Sequence, residues 1–259
     1  MDQAKAQKFV QTHENILKEK GFDLTRDTKI LDFGCGAGRE VYQFRKMGYK
    51  AYGCDIKSVF GDIQRQCEAE KLIDANESIF RTIDMSNYRI PFADGTFDYV
   101  FSNQVFEHVQ NYPEALSEIY RVLKPGGCSL HFFPARYRPV EPHVFVPFAG
   151  VFRSYHYLLF WAFFGIRNSY QKGYNYKKVA ETNHEYLTTR TTYFTKAKIH
   201  SKVFDQFKNV SFVEKYFIKY GGGRLTRLKN FPFIASLTRS FHTRAIFFAK
   251  LPIMLAAIS

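Results

Sequence analysis

One stretch near the start of this 259-residue chain, KILDFGCGAGRE at residues 29–40, restricts its possible folds more than any other. Its first residues form an apolar run that predicts a buried parallel β-strand, and three glycines follow at Gly34, Gly36 and Gly38. A helical pattern begins at Glu40. A glycine turn between a strand and a helix lets bare backbone approach a ligand at the helix N-terminus, so this stretch predicts a cofactor-binding α/β fold.

The spacing of these glycines distinguishes between classes of cofactor. A dinucleotide-binding turn has the pattern G-x-G-x-x-G, but Arg39 stands where its third glycine would fall, whereas Gly38 completes G-x-G-x-G. Asp32 places a carboxylate at the end of the strand, where it could accept hydrogen bonds from an ammonium group. Both observations favour a cofactor other than NAD. A tight glycine turn in another α/β fold is the alternative at this point.

Two later strands are predicted to end in further acidic residues at the same edge of the sheet. Asp55 closes strand two, 21 positions after Gly34, which is about the separation at which a strand-end carboxylate accepts hydrogen bonds from ribose hydroxyls. Strand three, residues 78–83, is followed by Asp84 and Met85. A turn-forming role is the alternative for Asp84.

The segment DFGCGAG at residues 32–38 resembles the first motif of class I S-adenosylmethionine-dependent methyltransferases. Further motifs follow in order: DMS at 84–86, PFADGTFD at 91–98, EHV at 107–109 and YRVLKPGG at 120–127, so that the motifs together extend over residues 32–127. Together they are similar to the small-molecule methyltransferases related to ubiquinone- and menaquinone-biosynthesis enzymes. The resemblance implies an α/β fold with a Rossmann-like, seven-stranded, mostly parallel sheet, helices on both faces and an antiparallel last strand.

The same resemblance implies which residues bind S-adenosyl-L-methionine. The implied cofactor-binding residues are Asp32, Gly34, Gly36, Gly38, Asp55, Ile56, Asp84, Met85, Asn103 and Gln104. The first aspartate and the glycine backbone would hold the methionine end, and the acidic residue of strand two would hold the ribose. The pair after strand three would contact the adenine, and the two residues after strand four would close the pocket beside the sulfonium.

After predicted strand five, residues 128–133, the chain departs from the bare fold. Residues 135–190 are dense in aromatic and basic side chains and predict an inserted helical cap that forms the acceptor pocket. The apolar run 144–166 raises a transmembrane helix as an alternative. Arg153 and His156 lie near its middle, however, and charged or titratable groups are costly in lipid, so the cap is the favoured interpretation.

This interpretation predicts a methyltransferase core made of residues 1–134 and 191–259, interrupted by the cap, with residues 218–243 as a second basic connection. Within the second part of the core, residues 210–216 are predicted to form strand six. Charge is distributed unevenly along the chain. Residues 1–135 carry 17 Lys and Arg against 19 Asp and Glu, whereas residues 136–259 carry 20 against 5. A basic second half favours an anionic partner, whether a phosphorylated or carboxylated substrate, an anionic membrane surface or nucleic acid.

Methyl transfer of this kind needs no nucleophile triad, because the cofactor carries its own leaving group and the protein mainly orients the acceptor and removes its proton. His108 and His143 are the candidate general bases, since histidine titrates near working pH. Structural roles are the alternative for both. The candidate acceptor contacts in the cap are Arg136, Arg138, Glu141 and Arg153.

A metal site is the other hypothesis for the segment after strand four. Some relatives bind magnesium through the pattern E-x-x-E-H, and here Glu107 and His108 form its second half. Gln104 stands in place of the first glutamate, which removes an anionic ligand. The sequence therefore predicts no metal.

The predicted function is methyl transfer, at oxygen, to a small or medium-sized biosynthetic acceptor such as a glycan, a nucleotide-linked sugar or a lipid-linked intermediate. Nucleic-acid methylation is one alternative. Many base amino-methyltransferases carry an N-P-P-Y or D-P-P-Y motif after strand four, but this chain has SNQV at 102–105, which disfavours that alternative. A noncatalytic S-adenosylmethionine-binding or membrane-surface protein is another. Four cysteines without a C-x-x-C pair and a polar N-terminal helix predict a reducing cytoplasm, with peripheral membrane association as an alternative.

Overall fold

The computed structural model describes residues 3–207, 209–220 and 243–250. In chain order the described helices and strands are α1 (Gln3–Glu19), β1 (Lys29–Phe33), α2 (Arg39–Lys46), β2 (Lys50–Asp55), α3 (Gly61–Ala69), β3 (Phe80–Thr82), β4 (Phe97–Asn103), α4 (Tyr112–Val122), β5 (Leu123–Pro134), α5 (Tyr155–Phe163), α6 (Tyr176–Thr189), α7 (Lys196–Phe204), β6 (Asn209–Phe212), α8 (Glu214–Tyr220) and β7 (Thr243–Ala249). A short 3₁₀ turn, Ser169–Gln171, precedes α6.

The strands form one seven-stranded sheet in the order β3-β2-β1-β4-β5-β7-β6. β1 pairs in parallel with β2 on one side and with β4 on the other, whereas β7 is antiparallel to both β5 and β6. The predicted Rossmann-like sheet with an antiparallel last strand is confirmed. Because the strand order reverses between β1 and β4, the crevice for a ligand lies at the carboxyl ends of these two strands.

Helices cover both faces of the sheet, as predicted. Successive strand residues point to opposite faces, so Leu31 and Val100 join one buried cluster while Ile30 and Tyr99 join another. Apolar residues of α4 and α7 complete the first cluster, and those of α1 and α2 complete the second. The two layers hold β1 and β4 rigidly, which fixes the loops that leave their carboxyl ends.

Residues 135–190 form the predicted helical insertion, in which α5 packs against α6. A third buried cluster lies entirely within it and consists of Val144, Val146, Ala149, Leu158, Ala162, Val179, Ala180 and Leu187. The two helices are capped at their N-termini by Ser154 and Asn175, whose side chains accept hydrogen bonds from backbone N–H groups of the first turn. The insertion is called the cap below, and its division from the core as a separate domain stays a prediction.

The apolar run 144–166 contains only one helix, the nine-residue α5. Across the described ranges, no helix is both long enough and apolar enough to cross a membrane. All four cysteines are buried free thiols, as predicted.

The end of the sheet differs from the expectation that residues 210–216 form strand six. β6 ends at Phe212, and α8 begins at Glu214, whose carboxylate lies 3.0 Å from the guanidinium of Arg244 on β7. Aromatic and β-branched residues favour a strand here, but α8 instead packs against α1, and this tertiary contact overrides the local preference. Most of the predicted connection 218–243 and the tail 251–259 lie outside the described residues.

Candidate functional site

The three glycines after β1 all have left-handed backbone, but their surroundings differ. A Cβ atom at Gly34 would lie 2.5 Å from a methyl carbon of Val105, and one at Gly38 would lie 2.4 Å from the ring of Phe80. A Cβ atom at Gly36 would meet no atom within 4 Å. The outer two glycines are therefore required by packing, whereas the middle one borders open space that a ligand could fill.

That open space is a cavity of about 300 Å³ at the carboxyl ends of β1 and β4. It is lined by Asp32, Gly34, Cys35, Gly36, Ala37, Arg39, Glu40 and Asn103. The structure thus brings together four of the predicted cofactor residues around one cavity. Gly38, Asp55, Ile56, Asp84, Met85 and Gln104 are not among its lining residues.

The carboxyl groups in and near the cavity favour the binding of a positively charged group. Asp32 is buried, and this burial, together with the nearby carboxylates of Glu40 and Asp55, raises its pKa well above its usual range. A cation bound beside Asp32 would favour its ionised form and relieve the repulsion among the three carboxylates. The site accordingly favours an ammonium or sulfonium group over a phosphate.

Asp55 closes β2 and holds the glycine turn in place. One carboxylate oxygen accepts a hydrogen bond from the backbone N–H of Gly36 at 2.8 Å, and the other accepts one from the N–H of Lys57 at 2.9 Å. Each carboxylate oxygen can accept a second bond. Asp55 can therefore fix the turn and still receive hydrogen bonds from a ligand's hydroxyl groups.

Ile56 and the two residues predicted to contact the adenine, Asp84 and Met85, lie along the same sheet edge. Ile56 and Met85 are 52% and 59% exposed. Asp84 accepts a hydrogen bond from the backbone N–H of Ser86 at 2.8 Å, which holds its pKa below the usual range. This contact also fits the alternative role of Asp84 as a turn residue.

Gln104 turns the chain out of β4. Its φ of 60° is left-handed, and its backbone N–H donates to the carbonyl of Phe132 on β5 at 2.7 Å. The loop that follows packs Val105 against Gly34 and then carries Glu107 and His108. The glycine turn and the loop after β4 are therefore in direct contact.

His143 of the cap lies beside this loop, and its imidazole ring is held by the carboxylate of Glu141. Nδ1 of His143 lies 2.7 Å from Oε1 of Glu141, which also accepts a 2.6 Å hydrogen bond from the hydroxyl of Tyr193. The other oxygen of Glu141 accepts from the backbone N–H groups of His143 and Val144. Burial alone would raise the pKa of Glu141, but the hydrogen bonds from His143 and Tyr193 hold it below its usual range.

His108 lies next to His143, with ring centroids 5.0 Å apart. Its Nδ1 is 2.9 Å from the carbonyl oxygen of Arg190, and its Nε2 is 3.9 Å from Oε1 of Glu107. Glu107 is fully buried, and neither of its carboxylate oxygens has a hydrogen-bond partner in the described structure. Burial raises the pKa of Glu107 to about 7 and lowers that of His108.

The predicted acceptor arginines lie in a different place from these histidines. Arg136 and Arg153 line a second cavity of about 360 Å³, together with residues 191–195 and Lys198. The guanidinium of Arg153 donates to the carbonyl oxygens of Leu187, Thr191 and Gly150, so it cross-links the cap. Arg138 is half-buried nearer to Glu107, and its charge partly opposes the rise that burial causes in the pKa of Glu107.

The strand order, the glycine turn and the acid-lined cavity together define a class I methyltransferase fold. Residues 31–130 match the family model described as "Methyltransferase domain". Residues 31–130 are therefore similar to this methyltransferase family, and the fold of the chain is that of a solved methyltransferase bound to S-adenosyl-L-methionine.

Two curated relatives match part of the chain. Malonyl-[acyl-carrier protein] O-methyltransferase of Serratia marcescens is 31% identical over 102 residues, which are 39% of this chain and 36% of the relative. Sterol 24-C-methyltransferase of Schizosaccharomyces pombe is 28% identical over 136 residues, which are 48% of this chain and 32% of the relative. The chain spans about a third of the length of these relatives.

Solved structures resemble a larger part of the chain. Phosphoethanolamine N-methyltransferase 2 of Haemonchus contortus, in complex with S-adenosyl-L-methionine, has a TM-score of 0.54 at 19% identity and covers 95% of this chain and 52% of its own. Geranyl diphosphate methyltransferase, also in complex with this cofactor, has a TM-score of 0.53 at 14% identity and covers 96% and 85%. At these identities the likeness is one of fold.

Proposed function

We propose that this protein transfers the methyl group of S-adenosyl-L-methionine to an oxygen atom of a small or medium-sized biosynthetic acceptor. The observation that carries the proposal is the cavity in which Asp32, Gly36 and Glu40 meet. S-adenosylmethionine carries positive charge on its ammonium and sulfonium groups and, when bound, supplies an activated methyl group. An acidic cavity beside a glycine turn suits such a cation, whereas the pyrophosphate of a dinucleotide would be repelled by the same carboxylates.

Different residues of the chain would bind the different chemical groups of this cofactor. Asp32 would accept hydrogen bonds from the ammonium, and the open side of Gly36 would admit the ligand against bare backbone. Asp55 would use its remaining lone pairs for the ribose hydroxyls. Asp84 and the exposed Met85 would contact the adenine, with Ile56, Asn103 and Gln104 closing the pocket.

Oxygen is the favoured acceptor atom because of the two histidines after β4 and in the cap. Nδ1 of His108 lies against a carbonyl oxygen, so in the neutral ring it carries the proton and Nε2 has a free lone pair. The Nδ1 of His143 is held by Glu141 in the same way. Two such rings side by side could orient an acceptor through a hydroxyl group.

Features of the cap support a proposal for the chemical class of the acceptor. Arg136 and Lys198 border the second cavity and could hold a phosphate or carboxylate group. Aromatic side chains on the cap surface are exposed to an unusual degree, with Phe163 and Phe164 at 66% and 64%. An aromatic surface beside basic residues can rest on a membrane, so a lipid-linked acceptor fits better than a glycan or nucleotide-linked sugar.

The cofactor assignment is tested by calorimetry with S-adenosylhomocysteine. Asp55→Ala should lose about 1.5 to 3 kcal/mol of binding free energy, since it removes hydrogen bonds to a charged acceptor. Asp62→Ala is the matched control, because Asp62 is an exposed carboxylate at the start of α3, near β2 in sequence but outside the cavity. Unchanged affinity in Asp55→Ala, or tighter binding of NAD than of S-adenosylhomocysteine, would contradict the proposal.

The acceptor class is tested in the same preparation with methyl-labelled S-adenosylmethionine and a cell extract separated into lipids, water-soluble metabolites and RNA. Label in the lipid fraction that survives conditions that cleave methyl esters but is released as methyl iodide by hydriodic acid would indicate an ether oxygen on a lipid-linked acceptor. Label confined to RNA would favour nucleic-acid methylation instead. No transfer by a protein that binds the cofactor would favour a noncatalytic role.

A further inference from the structure

A cluster of three potential metal ligands lies where the cap meets the loop after β4. Glu107 and His108 come from that loop, and His143 comes from the cap. We propose that these three side chains bind one divalent first-row transition-metal ion, such as Zn²⁺, Co²⁺ or Mn²⁺. The binding itself requires no other assumption, whereas the role of the ion in holding the acceptor rests on the proposed function.

The distances suit a site that closes slightly around an ion. One ligand atom from each residue lies within 4.8 Å of the others, and Nε2 of His108 is 3.9 Å from Oε1 of Glu107. Nitrogen and oxygen ligands at about 2.1 Å from a metal lie up to about 4.2 Å apart. Adjustment of side-chain torsions by less than about 1 Å would bring all three atoms into coordination range.

Both imidazoles are oriented as metal-binding histidines commonly are. Nδ1 of His143 is held by Glu141, and Glu141 is fixed in turn by the hydroxyl of Tyr193. Nδ1 of His108 is held by the carbonyl oxygen of Arg190. Hydrogen bonds of this kind fix the tautomer and leave Nε2 as the free electron-pair donor.

Glu107 supplies an independent observation in favour of a bound cation. Its side chain is fully buried, and no hydrogen-bond partner for either carboxylate oxygen exists among the described residues. An unpaired buried carboxylate is costly, and such groups are normally paired with a cation or coordinate a metal. An ion between Glu107 and the two histidines would provide the missing partner.

The ligand set favours a transition metal over magnesium. Two imidazole nitrogens and one carboxylate suit Zn²⁺, Co²⁺, Mn²⁺ or Fe²⁺, whereas Mg²⁺ prefers oxygen ligands. Since His143 provides the third ligand, the substitution of Gln104 in the E-x-x-E-H pattern does not abolish the site. Three protein ligands leave at least one coordination position open, which an acceptor's hydroxyl or carboxylate oxygen could occupy.

The test is a cobalt titration of untagged protein that has been stripped of metal with a chelator. Visible absorption of Co²⁺ reports its coordination, and elemental analysis gives the stoichiometry. We expect one ion per chain, with affinity at least tenfold weaker in Glu107→Gln and in His143→Ala. His156→Ala should bind like the wild type, because His156 is an exposed cap histidine outside the cluster.

Saturable binding that both ligand variants leave unchanged, or no saturable binding at all, would overturn the inference. Glu107→Gln is nearly isosteric and removes a buried charge, so it should fold even if His143→Ala does not. Binding of S-adenosylhomocysteine, measured in parallel, separates this inference from the proposed function. Asp55→Ala should lose the cofactor product and keep cobalt, whereas Glu107→Gln should do the reverse.

Discussion

Gly36 and Gly38 share a left-handed backbone, with φ values of 51° and 82°, yet they lack a side chain for different reasons. The missing Cβ atom of Gly38 leaves room for the ring of Phe80, which packs in the buried layer beneath the turn. The missing Cβ atom of Gly36 leaves the cavity open. Gly38 is therefore required for packing of the fold, whereas Gly36 keeps space open for a ligand.

Alanine substitutions at these two glycines should separate stability from binding. Both variants place a Cβ atom on left-handed backbone, which costs about 1 to 2 kcal/mol. Gly38→Ala also forces Phe80 to move, adding about 1 to 3 kcal/mol to the loss of stability in urea unfolding. Gly36→Ala should lose less stability but bind S-adenosylhomocysteine more weakly. Equal losses of stability, with the affinity of Gly36→Ala unchanged, would contradict this distinction.

The sequence predicts the individual site residues only where they are close along the chain. The cavity residues Asp32 and Gly36 belong to a single strand–turn–helix pattern, and Asn103 is the last residue of the neighbouring strand β4. His143 lies 35 positions after His108, and no periodicity relates the two. Their proximity depends on how the cap folds, so the sequence could nominate each histidine but could not predict that they share a carboxylate neighbour in Glu107.

At the scale of elements, α5 is unusual because it buries little of its apolar surface. Leu158 and Ala162 contribute to the cap's buried cluster, whereas Phe160, Phe163 and Phe164 are more than half exposed. Exposed lysines at positions 172, 177 and 178 follow in the chain. The sequence indicated an apolar segment here, but its helix limits and its exposed side depend on packing against α6. For the same reason, it could not predict that α8 replaces the end of strand six.

The exposed side of α5 should bind anionic membrane surfaces. We expect cosedimentation with phosphatidylglycerol-containing vesicles, decreasing as salt screens the attraction, and little cosedimentation with neutral phosphatidylcholine vesicles. Replacing Phe160, Phe163 and Phe164 together by alanine should reduce binding by removing apolar contact area. Phe204→Ala, an exposed aromatic of α7, is the control and should bind like the wild type. If the triple variant binds vesicles as well as the wild type, α5 is not the membrane-contacting element.

At the scale of the whole molecule, the cap and the core have separate buried clusters and meet near residues 190–193. The contacts there include His108 with the carbonyl of Arg190, Arg153 with the carbonyl of Thr191, and Glu141 with the hydroxyl of Tyr193. The central strands β1 and β4, in contrast, are bonded to neighbours on both sides. An assembly of this kind would allow the cap to move on the sheet, and the position of the cap after β5 predicts that it lies over the ligand crevice.

Hydrogen exchange should detect motion of the cap and the decrease of that motion when ligands bind. Without ligands, amides of residues 141–149 and of α6 should exchange faster than those of β4. Addition of Co²⁺ should slow them, because an ion held by Glu107, His108 and His143 would join the cap to the core. S-adenosylhomocysteine alone should mainly slow exchange in the turn at 34–40. Helix α3 carries none of the proposed metal ligands and serves as the internal control for the addition of Co²⁺. In the Glu107→Gln variant, addition of Co²⁺ should leave the exchange rates of the cap amides unchanged. If the amides of the wild-type cap are equally protected with and without ligands, the cap is a fixed part of the fold.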